Sequence, residues 1–269
     1  MEISIFYGKS PFLLCKEPKP RLVAIPPYKS YNTLSVECHY SFLLTIHLGI
    51  DLNQRLQSLG QGKTMIVKKQ LPIYFNHLWL RQKVRKLQAN QKMIKVVIGS
   101  GPTNYDGWLI TDLPYLNALD LSHWDTVFEP NSIDRLLAEH VIEHWAIEEF
   151  AQFLRIIRPF LSSQGLIRLA VPDGFHPDPA YIDYVKPGGS GAGAEDHKYL
   201  HTYKSMAQVL GQAQYVFNFL EYFDEQGQFH YQSWQESDGF IHRSAYHDQR
   251  NKEKPLTYTS LIVDAWPKE

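Results

Sequence analysis

One stretch, Lys95 to Asp112, limits what this chain can fold into more than any other. It reads KVVIGSGPTNYDGWLITD. Val96-Val97-Ile98 is an apolar run long enough for a buried strand, and Gly99-Ser100-Gly101 follows it directly. Trp108-Leu109-Ile110 is a second apolar run that ends on an acid, Asp112. Glycine lacks Cβ, so such a loop can turn sharply and let its backbone approach a ligand. In an open parallel sheet, ligands bind beyond the carboxyl ends of the strands. A carboxylate at a strand tip there can accept hydrogen bonds from both ribose hydroxyls, which predicts a nucleoside-bearing ligand.

The rest of the chain supplies elements for such a sheet. A helix is expected over residues 73–90, where Ile73, Leu78, Leu80, Val84 and Leu87 lie near one stripe opposite Arg81, Lys83, Arg85 and Lys86. Residues 117–121, with Asp120 and Leu121 at the end, read as a short third strand, or as an acid capping the turn that follows. Ile133 to Ala138 is the next strand, followed by Glu139-His140-Val141-Ile142-Glu143-His144. Ile147, Phe150, Leu154, Ile157 and Leu161 recur at helical spacing, and Arg158-Pro159 and Gln164-Gly165 stop that helix. Residues 166–173 form another strand with an acid, Asp173, at its tip. Residues 174–203 show no regular pattern and hold Gly188, Gly189, Gly191 and Gly193 among several His and Tyr. A loop that long inside a domain is usually functional or disordered. A helix from Tyr203, a strand over residues 216–223, a turn at Asp224–Gly227 and a final strand within residues 256–266 complete the pattern.

Residues 1–64 differ. Pro18, Pro20, Pro26 and Pro27 cluster, and no periodicity persists. They read as an N-terminal extension, accessory or disordered, with the folded domain over residues 65–269.

Bulk properties exclude several classes. Lys plus Arg total 27 against 28 for Asp plus Glu, so no general basic field attracts nucleic acid. Cys15 and Cys38 are the only two cysteines, which rules out a disulfide framework and a cysteine-based zinc site and suits a reducing cytoplasm. No apolar run approaches the roughly 20 residues of a membrane span.

The order of these pieces resembles the class I S-adenosylmethionine-dependent methyltransferases. The pieces are the glycine loop, the acid-tipped strand, Asp120-Leu121, NSIDRLLAEHVIEHW and RPFLSSQGLIRLAVPD. It is most similar to the type 11 branch of predicted methyltransferases, as HKYLHTY, HRSAYHDQR and TSLIVDAW further on also suggest. The resemblance covers about residues 93–266. It implies an α/β fold with a doubly wound, seven-stranded, mostly parallel, Rossmann-like sheet whose last strand is antiparallel. It also implies S-adenosyl-L-methionine as cofactor, with Gly99, Ser100 and Gly101 cradling the methionine part and Asp112 on the ribose. Asp120 and Leu121 would flank the adenine, and Ala138 and Glu139 would lie beside the amino-acid moiety. Two positions depart from the pattern: Val97 stands where many class I enzymes carry an acid, and Thr103 replaces the third glycine.

The implied reaction is methyl transfer to a small-molecule or sugar acceptor, with no metal. Asp173, His176 and His197, which follow the fifth expected strand, are the candidates to cluster beside the methyl group and supply a base. A non-catalytic module of the same fold is the alternative. Two further readings compete. A dinucleotide fingerprint wants a third glycine where Asn104 stands, and an acid roughly 20 residues on rather than 11. His140-Val141-Ile142-Glu143-His144 matches an inverted zinc-protease motif, but that chemistry needs both histidines one turn apart on a regular helix.

Overall fold

A computed structural model describes residues 61–254 and 256–268, with the side chains of residues 61–69 left aside. The expectations for residues 1–60 lie outside the described residues. The proposed boundary at Met65 falls inside the first helix, α1 (Gln61–Ala89), which carries Pro72 and is longer than its apolar stripe implies.

The sheet has seven strands in the order β2-β1-β3-β4-β7-β5-β6. Strands β1 (Lys95–Ile98), β2 (Leu109–Ile110), β3 (Ile133–Glu139) and β4 (Leu161–Pro172) pair in parallel. β7 (Ser260–Pro267) runs antiparallel between β4 and β5 (Tyr215–Phe223), and β6 (Phe229–Tyr231) hairpins back on β5. The doubly wound, Rossmann-like sheet and the reversed last strand are as expected. The hairpin strand β6 is a second reversed strand that the sequence pattern does not reveal.

Buried apolar runs explain the central strands. Val96, Val97 and Ile98 of β1 and Leu136, Leu137 and Ala138 of β3 are at most 2% exposed, as both faces of a covered parallel sheet require. Helix α3 (Ile147–Ile157) buries Phe150, Phe153, Leu154 and Ile157 in the main core, where Trp124 of α2 (Leu121–Val127) is also buried. At the centre of the sheet, Arg168 on β4 is buried and makes a two-pronged ion pair with its cross-strand partner Asp264 at 2.7 and 2.8 Å. Its Nη1 donates to the carbonyls of Gln235 and Gly239, so four of the five guanidinium N–H groups are partnered.

Three expectations need correction. The third strand over residues 117–121 does not form. Local bonds win there: the Asn117 side chain accepts from Leu119 N–H, Asp120 N–H donates to the Asn117 carbonyl, and Trp124 Nε1–H donates to the Ala118 carbonyl. Leu161 begins β4 rather than ending the preceding helix. Residues 174–203 also hold a helix, α4 (Pro179–Val185), capped by Asp178 with proline in its first turn. Helix α5 (Tyr203–Gln212) follows as expected.

The connection from β1 to β2 has no helix, although parallel neighbours usually need one. β2 is only two residues long, so the chain has little distance to return. The loop that joins them, residues 99–108, contains three glycines and lies at the carboxyl end of β1.

Candidate active site

The glycine loop is built by hydrogen bonds to β2 and the turn beyond it. Ser100 N–H donates to the Thr111 carbonyl, and Gly101 N–H donates to Asp112 Oδ2 at 2.9 Å. Asp112 Oδ1 accepts from Leu113 N–H at 2.7 Å. Each carboxylate oxygen thus holds one backbone donor and retains a lone pair for a further one. Gly99 has φ +59°, and a Cβ there would lie 2.5 Å from Val141 Cγ2, so both conformation and space require glycine.

A cavity of about 330 Å³ opens against this loop. Gly99, Ser100, Gly101, Thr103 and Tyr105 line one side, and Glu139 and His140 from the end of β3 line the other. Ala138 is fully buried just behind them and pairs with Ile98. Val97 also lines the cavity as an apolar wall, so it supplies no acid.

Glu139 is the acid that the cavity does contain. Its Oε2 accepts from the Tyr105 hydroxyl at 2.9 Å and from His242 N–H at 3.2 Å, with His242 Nδ1 3.1 Å away. Its Oε1 accepts from Arg243 N–H at 2.8 Å. Burial opposes ionisation, but the His242 hydrogen bond, the His140 charge and the Arg243 and Tyr105 donors hold the carboxyl at about 2. Tyr105 is pushed the other way, well above the ordinary tyrosine range, by burial and by Glu139 itself. Residues 242 and 243, which close this cavity, come from a segment in which only the HRSAYHDQR resemblance marks anything.

A second cavity, of about 350 Å³, adjoins the first, and His140 and Arg243 line both. Glu143, His144, Tyr184, His197, Arg250 and Tyr258 also line it. His140 sits at the end of β3 with φ +56°, in the left-handed region that non-glycine residues rarely occupy. A single 3-10 turn, Ile142–His144, follows. His140 and His144 therefore do not share a regular helix, and the inverted zinc-protease geometry is not formed.

The remaining candidates are divided. His197 lines the second cavity. Asp173 is fully buried, with Oδ1 accepting from Phe175 N–H at 3.0 Å and Oδ2 from Phe223 N–H at 2.6 Å. Burial pushes its carboxyl up to about 6 against those two donors. His176 stacks on Tyr181 with ring centroids 3.9 Å apart, accepts from Asp178 N–H on Nδ1, and meets the Leu256 carbonyl with Nε2. Asp173 and His176 thus tie strand ends and loops together, and of the three only His197 lines either of these two cavities. Asp120 caps α2, with Oδ1 accepting from Ser122 N–H at 2.9 Å and the Ser122 hydroxyl at 2.7 Å. Leu121, the next residue, is 48% exposed.

Among the described residues, no helix is long and apolar enough to cross a membrane. No protein-family model and no curated protein matches the chain by sequence. Solved structures similar to it include a SAM-dependent methyltransferase from Archaeoglobus fulgidus, 13% identical, with 70% of this chain and 92% of that chain covered and a TM-score of 0.36. The YcgJ protein from Bacillus subtilis is 12% identical over 72% of this chain and 99% of that one, with a TM-score of 0.37. An N-methyltransferase of Haemonchus contortus, solved with S-adenosylhomocysteine, is 9% identical over 79% of this chain and 61% of its own, with a TM-score of 0.36. These TM-scores are all below 0.5.

Proposed function

We propose that the chain is a class I S-adenosylmethionine-dependent methyltransferase acting on a small polar acceptor. The observation that carries this reading is the pair of adjoining cavities at the carboxyl ends of β1 and β3, which share His140 and Arg243 as a common wall. A transferase needs two such sites in contact: one for the donor, one for the acceptor.

The residues present fit the donor. The Gly99–Gly101 loop lines the first cavity and would hold the methionine part. Asp112 keeps acceptor capacity for the ribose hydroxyls beside that loop. Glu139 offers the negative charge that an ammonium group requires, in place of the acid absent at Val97, with Ala138 behind it. The helix start gives Asp120 a capping role and leaves the exposed Leu121 side chain as the apolar contact for adenine. When bound, the cofactor supplies an electrophilic methyl group. The chain aligns the acceptor against it and excludes water.

On the acceptor side, His197 is the candidate base. The Arg243 guanidinium, which makes no hydrogen bond or ion pair among the described residues, favours an anionic or hydroxyl-rich small molecule. Residues 65–269 would suffice for both sites.

Calorimetry of the full chain with S-adenosylmethionine and S-adenosylhomocysteine tests the first part, and binding of both is expected. Turnover of methyl-labelled cofactor with a panel of small acids and sugars tests the second. Binding without turnover on any acceptor would favour the non-catalytic module, and no binding at millimolar cofactor would overturn the reading.

A further inference from the structure

Glu143 is the most anomalous polar group in the described chain. Its side chain is 1% exposed, it lines the second cavity, and neither carboxylate oxygen has a hydrogen-bond donor. A buried carboxylate without hydrogen-bond donors loses hydration that only its ionic neighbours can offset, here the His140 ring at 3.2 Å and the His197 ring at 4.0 Å. Imidazoles surround it instead. One ligand atom each from Glu143, His144 and His197 lie within 4.8 Å of one another.

The orientation of these rings is informative. His197 Nδ1 lies 2.7 Å from the Val185 carbonyl, which can only accept, so Nδ1 carries the proton. In the neutral ring Nε2 is then a lone pair, and it faces Glu143 Oε1 at 4.0 Å, too far for a hydrogen bond. His140 repeats the pattern. The Ser260 hydroxyl donates to the Arg243 carbonyl, so its oxygen accepts from His140 Nε2–H. That leaves His140 Nδ1 turned to Glu143 Oε1 at 3.2 Å, the distance of an ion pair when the ring is protonated, though the angle is not that of a hydrogen bond. The Nε2 lone pair of His197 and both oxygens of the Glu143 carboxylate thus converge on one point of the cavity wall, with the His140 ring beside them.

The backbone holds this convergence in place. Lys198 and Tyr199 N–H groups both donate to the Glu143 carbonyl, at 2.8 and 3.2 Å, which pins the His197 loop to the turn carrying Glu143 and His144. A ring nitrogen that donates to a backbone carbonyl while the other faces inward is the usual outer-shell support of a metal-bound histidine.

We propose that Glu143, His144 and His197 bind a divalent metal ion of the zinc class, with one coordination position open to the second cavity. Two imidazoles and one carboxylate with an open fourth position suit zinc. Tetrahedral ligand atoms lie roughly 3.3 Å apart at zinc bond lengths, so closing from 4.8 Å is a side-chain adjustment. The open position would take a water or an oxygen of the occupant of the cavity. This site is not the inverted protease motif: His140 lies outside the ligand set, and His197 comes from another loop.

The test is zinc binding by the full chain, stripped with chelator and titrated against a chromophoric competitor, with cobalt absorption as a report on geometry. It uses neither S-adenosylmethionine nor turnover, so it stands apart from methyl transfer. One zinc per chain is expected, with Kd below about 1 µM. His144→Ala and His197→Ala should each weaken it about 100-fold, and the tetrahedral cobalt bands should disappear. His144 is half-buried and its side chain makes no hydrogen bond among the described residues, so His144→Ala should fold, as circular dichroism would confirm. Absence of zinc binding would overturn the proposal and leave Glu143 paired with protonated imidazole or with water. So would zinc binding that neither variant alters, because the ion would then sit on other histidines.

Discussion

Glu139 and Glu143 lie four residues apart, both buried, in walls of adjoining cavities, and their surroundings are opposite. Glu139 accepts from the Tyr105 hydroxyl and from two backbone N–H groups, with His242 Nδ1 alongside. Neither oxygen of Glu143 meets a donor in hydrogen-bonding geometry, and its nearest polar neighbours are the His140 and His197 rings at 3.2 and 4.0 Å. A buried carboxylate with donors on both oxygens is held in place by the protein itself, and one without them is the better candidate to take a metal ion. The cavity beside Glu139 is preorganised by the protein alone, whereas the proposed metal ion would complete the cavity beside Glu143.

The sharpest way to break this contrast is to remove each charge in turn. Glu139→Gln turns an NH2 group toward donors that it cannot satisfy, and the loss should be roughly 3–5 kcal/mol, as for other broken buried networks. Glu143→Gln loses no hydrogen bond, and in chelator it should cost less than about 1 kcal/mol. Urea unfolding of both variants measures the difference. Equal losses would mean that Glu143 has a structural partner, and the contrast would collapse.

Next in size is the donor site. A hydrogen bond to a charged group contributes roughly 1.5–3 kcal/mol, and Asp112 should make two to the ribose besides holding Gly101. Asp112→Ala should weaken S-adenosylmethionine binding by about 100-fold. Calorimetry showing unchanged affinity would remove Asp112 from the site and leave it only as the latch of the loop.

The pH dependence sharpens the comparison further. The Glu139 carboxyl is at about 2 in the fold against an ordinary 4.5, so its stabilisation is complete above 4.5 and lost as pH falls toward 2. Asp173 has the opposite sign. Its carboxyl is raised from 3.8 to about 6, so its contribution is complete below 3.8 and lost as pH rises through 6. Each limb should amount to roughly 2–3 kcal/mol. Glu139→Gln should flatten the acid limb and Asp173→Asn the other, in unfolding free energies taken from pH 2 to 7. If Asp173→Asn left the upper limb intact, burial would not be what raises that group.

Much of the frame was legible because apolar runs and helix stops are local signals. Val96–Ile98, Ile133–Ala138 and the stripe through Phe150 and Ile157 each announce an element without reference to the rest. What was hidden depends on contacts between distant segments. His242 and Arg243 meet Glu139 across more than a hundred residues of chain, and no spacing rule connects them. The strand expected at residues 117–121 failed because Asn117 and Asp120 bond their own neighbours, a choice that apolar content alone does not reveal. Asp173 and His176 drew notice as titratable groups at a strand tip, and the fold buries both and bonds them to backbone groups of distant segments. His197 and Glu143 show the converse: neither sits in a regular helix, and only the folded loop brings them together.

The smallest expected effect concerns Asp120, where the sequence supports either of two roles. As the cap of α2, its carboxylate accepts from the Ser122 N–H and hydroxyl. Replacing a capping acid with alanine costs about 1 kcal/mol, whereas asparagine caps nearly as well. If capping is the whole of its role, Asp120→Ala should lower stability by about that amount and Asp120→Asn by far less, with S-adenosylmethionine affinity within a few-fold of wild type in both. An adenine contact would separate the two measurements. An amino group donating to Asp120 would make the alanine variant lose affinity well beyond its stability loss, and the asparagine variant would retain part of it. A loss of binding above about 10-fold in Asp120→Ala, or roughly one charge-assisted hydrogen bond, would show that the helix start does extend the donor cavity. It would also return Asp120 to the side of the comparison where groups serve a ligand rather than the frame.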